Sequence, residues 1–142
     1  MKKLLACVLS LLLVSCASRL PQSPNREIEE NVASLLQAYQ NKDLQAFSKH
    51  LAVGYPDKRD LETKLANVFL TYADIRISNV SIQEIITDRA IWHVNVLFDR
   101  SFSRQRDETA FAEKVRTRQV WHLSFVREDG VLRLISMSKN VL

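Results

Sequence analysis

The sequence predicts an α+β domain, with three helices followed by an antiparallel meander. Three observations predict it. Apolar residues recur at helical spacing up to Tyr72, and from Ala73 onward they alternate at every second position. A Trp-His pair then occurs twice inside alternating apolar runs, in "IWHVNV" at residues 91–96 and in "VWHLSF" at residues 120–125. Such runs read as neighbouring strands of one sheet, and the period of two accounts for the shared spelling.

The first helix is expected from Asn25 to Gln40. Ile28, Val32, Leu35, Leu36 and Tyr39 fall on one face of a 3.6-residue period, and Glu27, Glu29 and Glu30 suit the positive end of its dipole. "QNKD" breaks it. A short helix follows, with Asp43 as its cap and Leu44, Phe47 and Leu51 inward. After "AVGYP" a third helix starts at Asp57, with Leu61, Leu65, Val68, Phe69 and Tyr72 repeating the first helix's spacing. "DIRISNVSI" begins the first strand, with a break near Asn79 and a continuation through "QEII". "TDR" turns into the long strand "AIWHVNVLFDRSF". Residues 103–115 then connect to "VRTRQVWHLSFV", and "REDG" makes a hairpin turn into "VLRLISMSKN".

The chain opens "MKKLLACVLSLLLVSCASRL". Lys2 and Lys3 form a positive segment, and Leu4 to Val14 form an apolar stretch of signal-peptide length. That stretch falls well short of the roughly 20 apolar residues of a spanning helix. Its end, Leu13-Val14-Ser15-Cys16, resembles the bacterial lipobox. The resemblance implies that residues 1–15 are a signal peptide and that Cys16 carries a diacylglyceryl group and palmitate-type acyl chains. Of the two cysteines, Cys7 lies in the removed segment, so no intrachain disulfide can form. Ala17 follows the Cys, and by resemblance to Gram-negative lipoprotein sorting a residue other than Asp there implies the outer membrane, facing the periplasm. Residues 16–25 form the lipidated N-terminus and a polar linker with two prolines, reaching roughly 30 Å if extended. Residues 26–142 form one domain, long enough for one core.

Charge does not point to nucleic acid. The whole chain has 20 Lys and Arg against 16 Asp and Glu, and losing Lys2 and Lys3 leaves 18 against 16. A nearly neutral exported domain is not expected to bind nucleic acid. The two glycines, Gly54 and Gly130, are too few and too far apart for a phosphate-binding loop. No zinc-binding Cys pair, His-Glu-x-x-His motif or G-x-S-x-G elbow occurs. No cofactor is implied.

The stretch "LLQAYQNKDLQAFSKHL" and the terminal "RQVWHLSFVREDGVLRLISMS" resemble the NTF2-like superfamily, which includes the SnoaL-like and ketosteroid isomerase families. The resemblance covers about residues 26–139. It implies that the sheet curves around the helices as a cone with an internal cavity. One departure is the stretch "AVGYPDKRD", which leaves little room for the edge hairpin that often builds the cavity mouth.

In the first Trp-His strand, Trp92, Val94, Val96 and Phe98 form the more apolar face, opposite Ile91, His93, Asn95, Leu97 and Asp99. In the second, Trp121, Leu123 and Phe125 face one way, with Val120, His122, Ser124 and Val126 opposite. If the Trp faces meet the helices, both histidines lie on the outer face. A two-residue turn at Asp107-Glu108 would set His93 directly across from His122. Two imidazoles and Asp99 make an incomplete metal set, and no metal site is expected. The outer face, with Ile91, Leu97, Val120 and Val126 among polar residues, is expected to pair as a homodimer.

Ketosteroid isomerases use an Asp base with a Tyr and a protonated acid as oxyanion donors. Aligned on the Asp43 break, the chain carries Leu35 where that family places its Tyr. Asp57 falls near the expected base and equally suits a helix cap, and no acid completes the set. No catalytic residue is therefore assigned. Tyr39, Tyr55, Asp57, Tyr72, Trp92 and Trp121 are the candidate pocket lining. Arg100, Arg104, Arg106, Lys114, Arg116 and Arg118 cluster about the long connection, offset by Asp107, Glu108 and Glu113, and read as a solvated hairpin or as a surface for an anionic partner. The function expected is a membrane-anchored, non-catalytic module for a small apolar ligand or an envelope protein. The alternative is a SnoaL-like or isomerase-like enzyme acting on a small apolar molecule.

Overall fold

Three helices precede four strands in the computed structural model, which describes residues 24–104 and 114–141. The helices are α1 (Pro24–Gln40), α2 (Leu44–Ser48) and α3 (Lys58–Thr71). The strands are β1 (Tyr72–Asp88), β2 (Ile91–Arg104), β3 (Lys114–Glu128) and β4 (Val131–Val141), paired antiparallel in the order β1-β2-β3-β4. The anchor segment and the middle of the β2–β3 connection lie outside the described residues, and so do Cys16, Arg106, Asp107, Glu108 and Glu113. Among the described residues no helix is long and apolar enough to cross a membrane.

The apolar stripe of α1 is the stripe that packs. Ile28, Val32, Leu35, Leu36 and Tyr39 are all buried, each large side chain contributing about 1.5–3 kcal/mol on leaving water. Asp43 caps α2, its carboxylate accepting from the Ala46 N–H at 2.8 Å. Phe47 and Leu51 are buried as expected. Asp57 occupies the cap position of α3 with a left-handed φ of 51°, yet its side chain makes no capping hydrogen bond. Only its carbonyl serves, accepting from the Leu61 N–H. Cap chemistry therefore differs from the sequence reading there. At the other end of α3, Lys42 donates through Nζ to the carbonyls of Phe69 and Tyr72.

The short α2–α3 stretch does not build a hairpin. Instead Leu51 bridges Leu134 in parallel, with hydrogen bonds from Ala52 N–H to Leu134 O and from Leu134 N–H to His50 O. His50 also ties this corner to α1. A neutral ring donating from Nδ1 to Asn31 and accepting at Nε2 from Ser34 satisfies both contacts. Burial, and then the charge of Arg133, hold its imidazole below the ordinary histidine value.

The sheet curves because its ladders are irregular. The β1–β2 register shifts at three places, one between Ser78 and Ser81, where Asn79 takes a φ of 52°. The break expected near Asn79 is this bulge inside a continuous strand. The last hairpin turns at Asp129-Gly130, both with positive φ, the pattern of a type I′ turn. Arg127 and Glu128, expected in that turn, belong to β3. The β2–β3 connection is likewise shorter than expected, since Ser103 pairs with Lys114 and Phe102 with Val115, and β2 runs on to Arg104.

The face assignment of the Trp-His strands agrees with the structure. Val94, Val96, Phe98, Trp121, Leu123 and Phe125 are buried against the helices. Their register differs from the expectation. His93 pairs with Ser124 and His122 with Asn95, two residues away from a His93–His122 pair. A two-residue slip leaves every side chain on its face, so facial patterning alone does not distinguish the two registers. Among the described residues the buried apolar ones all lie between Ile28 and Leu134, so a chain beginning after Cys16 carries every one of them.

On the outer face Asp99 is covered by neighbouring side chains rather than by depth. It accepts from Asn79 Nδ2 at 2.8 Å and Arg116 at 2.6 Å, with Arg118 at 3.7 Å. These bonds, Asn79's first, hold its carboxyl below the ordinary aspartate value of 3.8. A lowered folded-state pKa means the unfolded chain binds the proton more readily. The stabilisation is therefore complete above 3.8 and lost as pH falls through the folded-state value. Asp99→Asn should be less stable than the parent near neutral pH, and the difference should shrink on acidification. Urea unfolding at a series of pH values measures it, and a pH-independent difference would refute the assignment.

Candidate functional site

The interior of the cone is largely filled by the chain's own aromatic residues. Trp121 from β3 stands edge-on to Phe98 at 5.0 Å and to Tyr39 at 5.3 Å. Phe69 from α3 packs on Tyr39 at 5.7 Å. A cavity of about 200 Å³ remains between α3 and the inner sheet face. Leu61, Leu65 and Val68 of α3 form one wall, and Tyr39, Trp121 and Met137 form the other. Lys64 and Lys139 add two ammonium groups.

The charged side chains that line the cavity are both lysines. Arg100, on the inner face of β2, donates from a guanidinium nitrogen to the Tyr39 hydroxyl at 2.8 Å and stacks over Phe102 at 5.0 Å. Burial lowers the pKa of Lys139, and the nearby charges of Arg100 and Lys64 lower it further. Lys64 is bonded to Asp60 at 2.6 Å, an exposed helix-surface pair. Among the described residues no carboxylate or imidazole lines the cavity. The indole Nε1 of Trp121 and the Nε of Arg100 are buried without a hydrogen-bond partner among the described residues.

No protein-family model and no curated protein matches the chain. Solved structures do match, over more than four-fifths of the chain. The fold is NTF2-like. An NTF2-like superfamily protein from Salmonella enterica serovar Typhimurium superposes with a TM-score of 0.69 at 10% identity, covering 81% of this chain and 88% of that one. A ketosteroid isomerase-like protein from Erwinia carotovora atroseptica gives 0.67 at 15% identity, covering 82% and 95%. A hexachlorocyclohexane dehydrochlorinase of type 2 gives 0.64 at 10% identity, covering 82% and 84%. At such identities the likeness concerns architecture alone.

Within the NTF2-like cone, the residues singled out in the sequence are distributed as follows. Tyr39 and Trp121 line the cavity. Tyr55 is half-buried against the core, and its hydroxyl is pushed up by burial against a hydrogen bond from the Met137 backbone. Tyr72 packs at a tilt against Phe102, with ring centroids 4.2 Å apart. Trp92 sits four residues along β2 from Val96, the partner of Trp121, with the Arg127 guanidinium over its ring. Asp57 is exposed at the start of α3. His93 Nδ1 meets Ser124 Oγ at 3.0 Å and His122 Nδ1 meets Asn95 Oδ1 at 2.7 Å, so each imidazole is engaged across the ladder with its own neighbour. Among the described residues no three His, Cys, Asp or Glu gather as metal ligands would.

The basic cluster divides between the two faces. Arg116 and Arg118 flank Asp99 outside, whereas Arg100 points inward to Tyr39. Lys64 and Lys139 were not singled out in the sequence. Lys64 sits beside Leu65 in the helix pattern, one residue off the apolar stripe. Lys139 lies beyond an irregularity in β4, in the polar end of the strand.

Proposed function

We propose that this chain is a bacterial envelope lipoprotein, held through acyl chains on Cys16 at the periplasmic face of the outer membrane. Its NTF2-like domain serves as a non-catalytic ligand-binding module. The anchor rests on the lipobox resemblance and on Ala17. The binding role rests on one observation, the makeup of the cavity wall. Acid–base catalysis in a dry cavity needs a proton donor and acceptor placed against a substrate. Here apolar side chains and cations line the space, and the one inner-face lysine with a lowered pKa has further cations beside it rather than a complementary acid. Such a wall is suited to holding a molecule.

Titration of residues 17–142 with toluene, followed by amide and methyl NMR, tests the binding role. Shifts should concentrate at Leu61, Leu65, Val68 and Met137, and Leu65→Trp, which fills the space, should remove them. Shifts scattered over the surface, or unaffected by the filling variant, would reject it.

The outer sheet face is proposed as a homodimer surface. Ile91, Leu97, Val120 and Val126 remain only half-buried there, and apolar residues among polar ones are common at interfaces. Sedimentation of residues 17–142 at micromolar concentration should show a dimer that Leu97→Glu weakens. A monomer at every concentration would reject the pairing.

A further inference from the structure

We propose that the cavity takes a small carboxylate-bearing ligand, with a ring or short chain against Leu65 and Trp121 and the carboxylate at Lys139. This rests on the binding role proposed above and adds the ligand's charge. The volume sets the size. A cavity of about 150 Å³ lined by apolar side chains holds benzene, so about 200 Å³ suits a single ring with a short tail.

The charge follows from the arrangement of the cations. Lys139 stands on β4 directly across from Trp121. Lys64 approaches from α3, and Arg100 lies behind Tyr39 on the same inner face. Like charges beside apolar walls disfavour one another's ionised form. The exposed Lys139 has its pKa lowered by partial desolvation and then by both neighbours, whereas the hydrogen bond to Asp60 raises that of Lys64. Among the described residues neither Lys139 nor Arg100 has a carboxylate partner. Asp60 offsets Lys64, but both side chains are mostly exposed, and such a pair is worth little. A carboxylate would supply the negative charge that the cavity wall lacks. A cationic head group would add to the repulsion, and a neutral one would leave it unchanged.

Three ligands with one body separate charge from shape: 3-phenylpropanoate, 3-phenylpropan-1-ol and 3-phenylpropylamine. Each is titrated into residues 17–142 while the amide and indole resonances are followed. The acid should bind best, the alcohol on the order of tenfold more weakly, and the amine least. Lys139→Met keeps the aliphatic stem and should lower affinity for the acid about tenfold while leaving the alcohol unchanged. Lys64→Met should give a smaller loss, since Asp60 already takes part of that charge. It serves as the readout should the first variant not fold. Equal binding of acid and alcohol, or an acid preference surviving the lysine replacement, would overturn the charge assignment and leave the binding role standing. Failure of all three ligands to bind in the cavity would overturn both.

Discussion

Cys16→Ser should abolish incorporation of radiolabelled palmitate, while the parent protein takes up label and stays with the membrane through a high-salt wash. The size of the effect follows from the anchor. Each buried methylene contributes about 0.8 kcal/mol, and a single acyl chain binds only marginally, whereas two chains hold a protein stably. Salt does not release an anchor of that kind, because its attachment is not electrostatic. Lipidation in this pathway requires the thiol, so the serine variant should also remain a precursor retaining Lys2 and Lys3, and gel mobility or intact mass would show it. Equal label in parent and variant would end the lipoprotein assignment. The linker gives the prediction a spatial side. Because α1 begins at Pro24, an acyl anchor on Cys16 would hold the folded domain within a few nanometres of the bilayer.

The helical layer and the facing of the central strands were legible in the sequence, because each depends on a local period. Ile28 through Tyr39 stay in phase with a helix, and Val94, Val96 and Phe98 stay in phase with a strand. The position of Lys139 was not legible. Leu132 and Leu134 face the core, and strict alternation would turn residue 139 outward. The ladder shifts between Ser124 and Phe125, so that Phe125 pairs with Leu134 while Ser124 pairs with Ser136. The additional residue on β4, Ile135, reverses the parity beyond it and carries Met137 and Lys139 to the inner face. The apolar residues do change parity there, from Leu132 and Leu134 to Ile135 and Met137, but the polar end of the strand, with Lys139 and Asn140, reads as solvated on either face.

The cross-strand placement of His93 and His122 was illegible for a different reason. Register there depends on the length and conformation of a connection, and a shift of two residues leaves the buried set unchanged. Arg100 was legible in principle. It continues the even-numbered inner face of Val94, Val96 and Phe98, yet its charge and its closeness in sequence to other basic residues associate it with the solvated hairpin. The inner face tolerates it because Tyr39 accepts one guanidinium hydrogen bond and the Phe102 ring covers the cation.

Phe98→Ala should cost about 3–5 kcal/mol of folding stability, a large share of the roughly 5–15 kcal/mol available to a domain. Phe98 is fully buried on β2 and meets the face of the sheet that carries the aromatic stack. Truncation removes the ring's own burial and its edge-on contact with Trp121. It also leaves a void that the neighbouring Val96 and Trp121 can close only in part. Phe98→Leu retains most of the volume and should cost much less, around 1.5 kcal/mol. Urea unfolding of residues 17–142 gives both numbers, with the slope unchanged if the native state keeps its extent. The alanine variant also bears on the cavity. Trp121 forms its wall and rests on Phe98 from behind, so a loosened indole should enlarge the space and admit a bulkier ring than the parent does. A loss below about 1 kcal/mol, as for a surface change, would mean that Phe98 is not seated in the core and that the cavity lacks a rigid back wall.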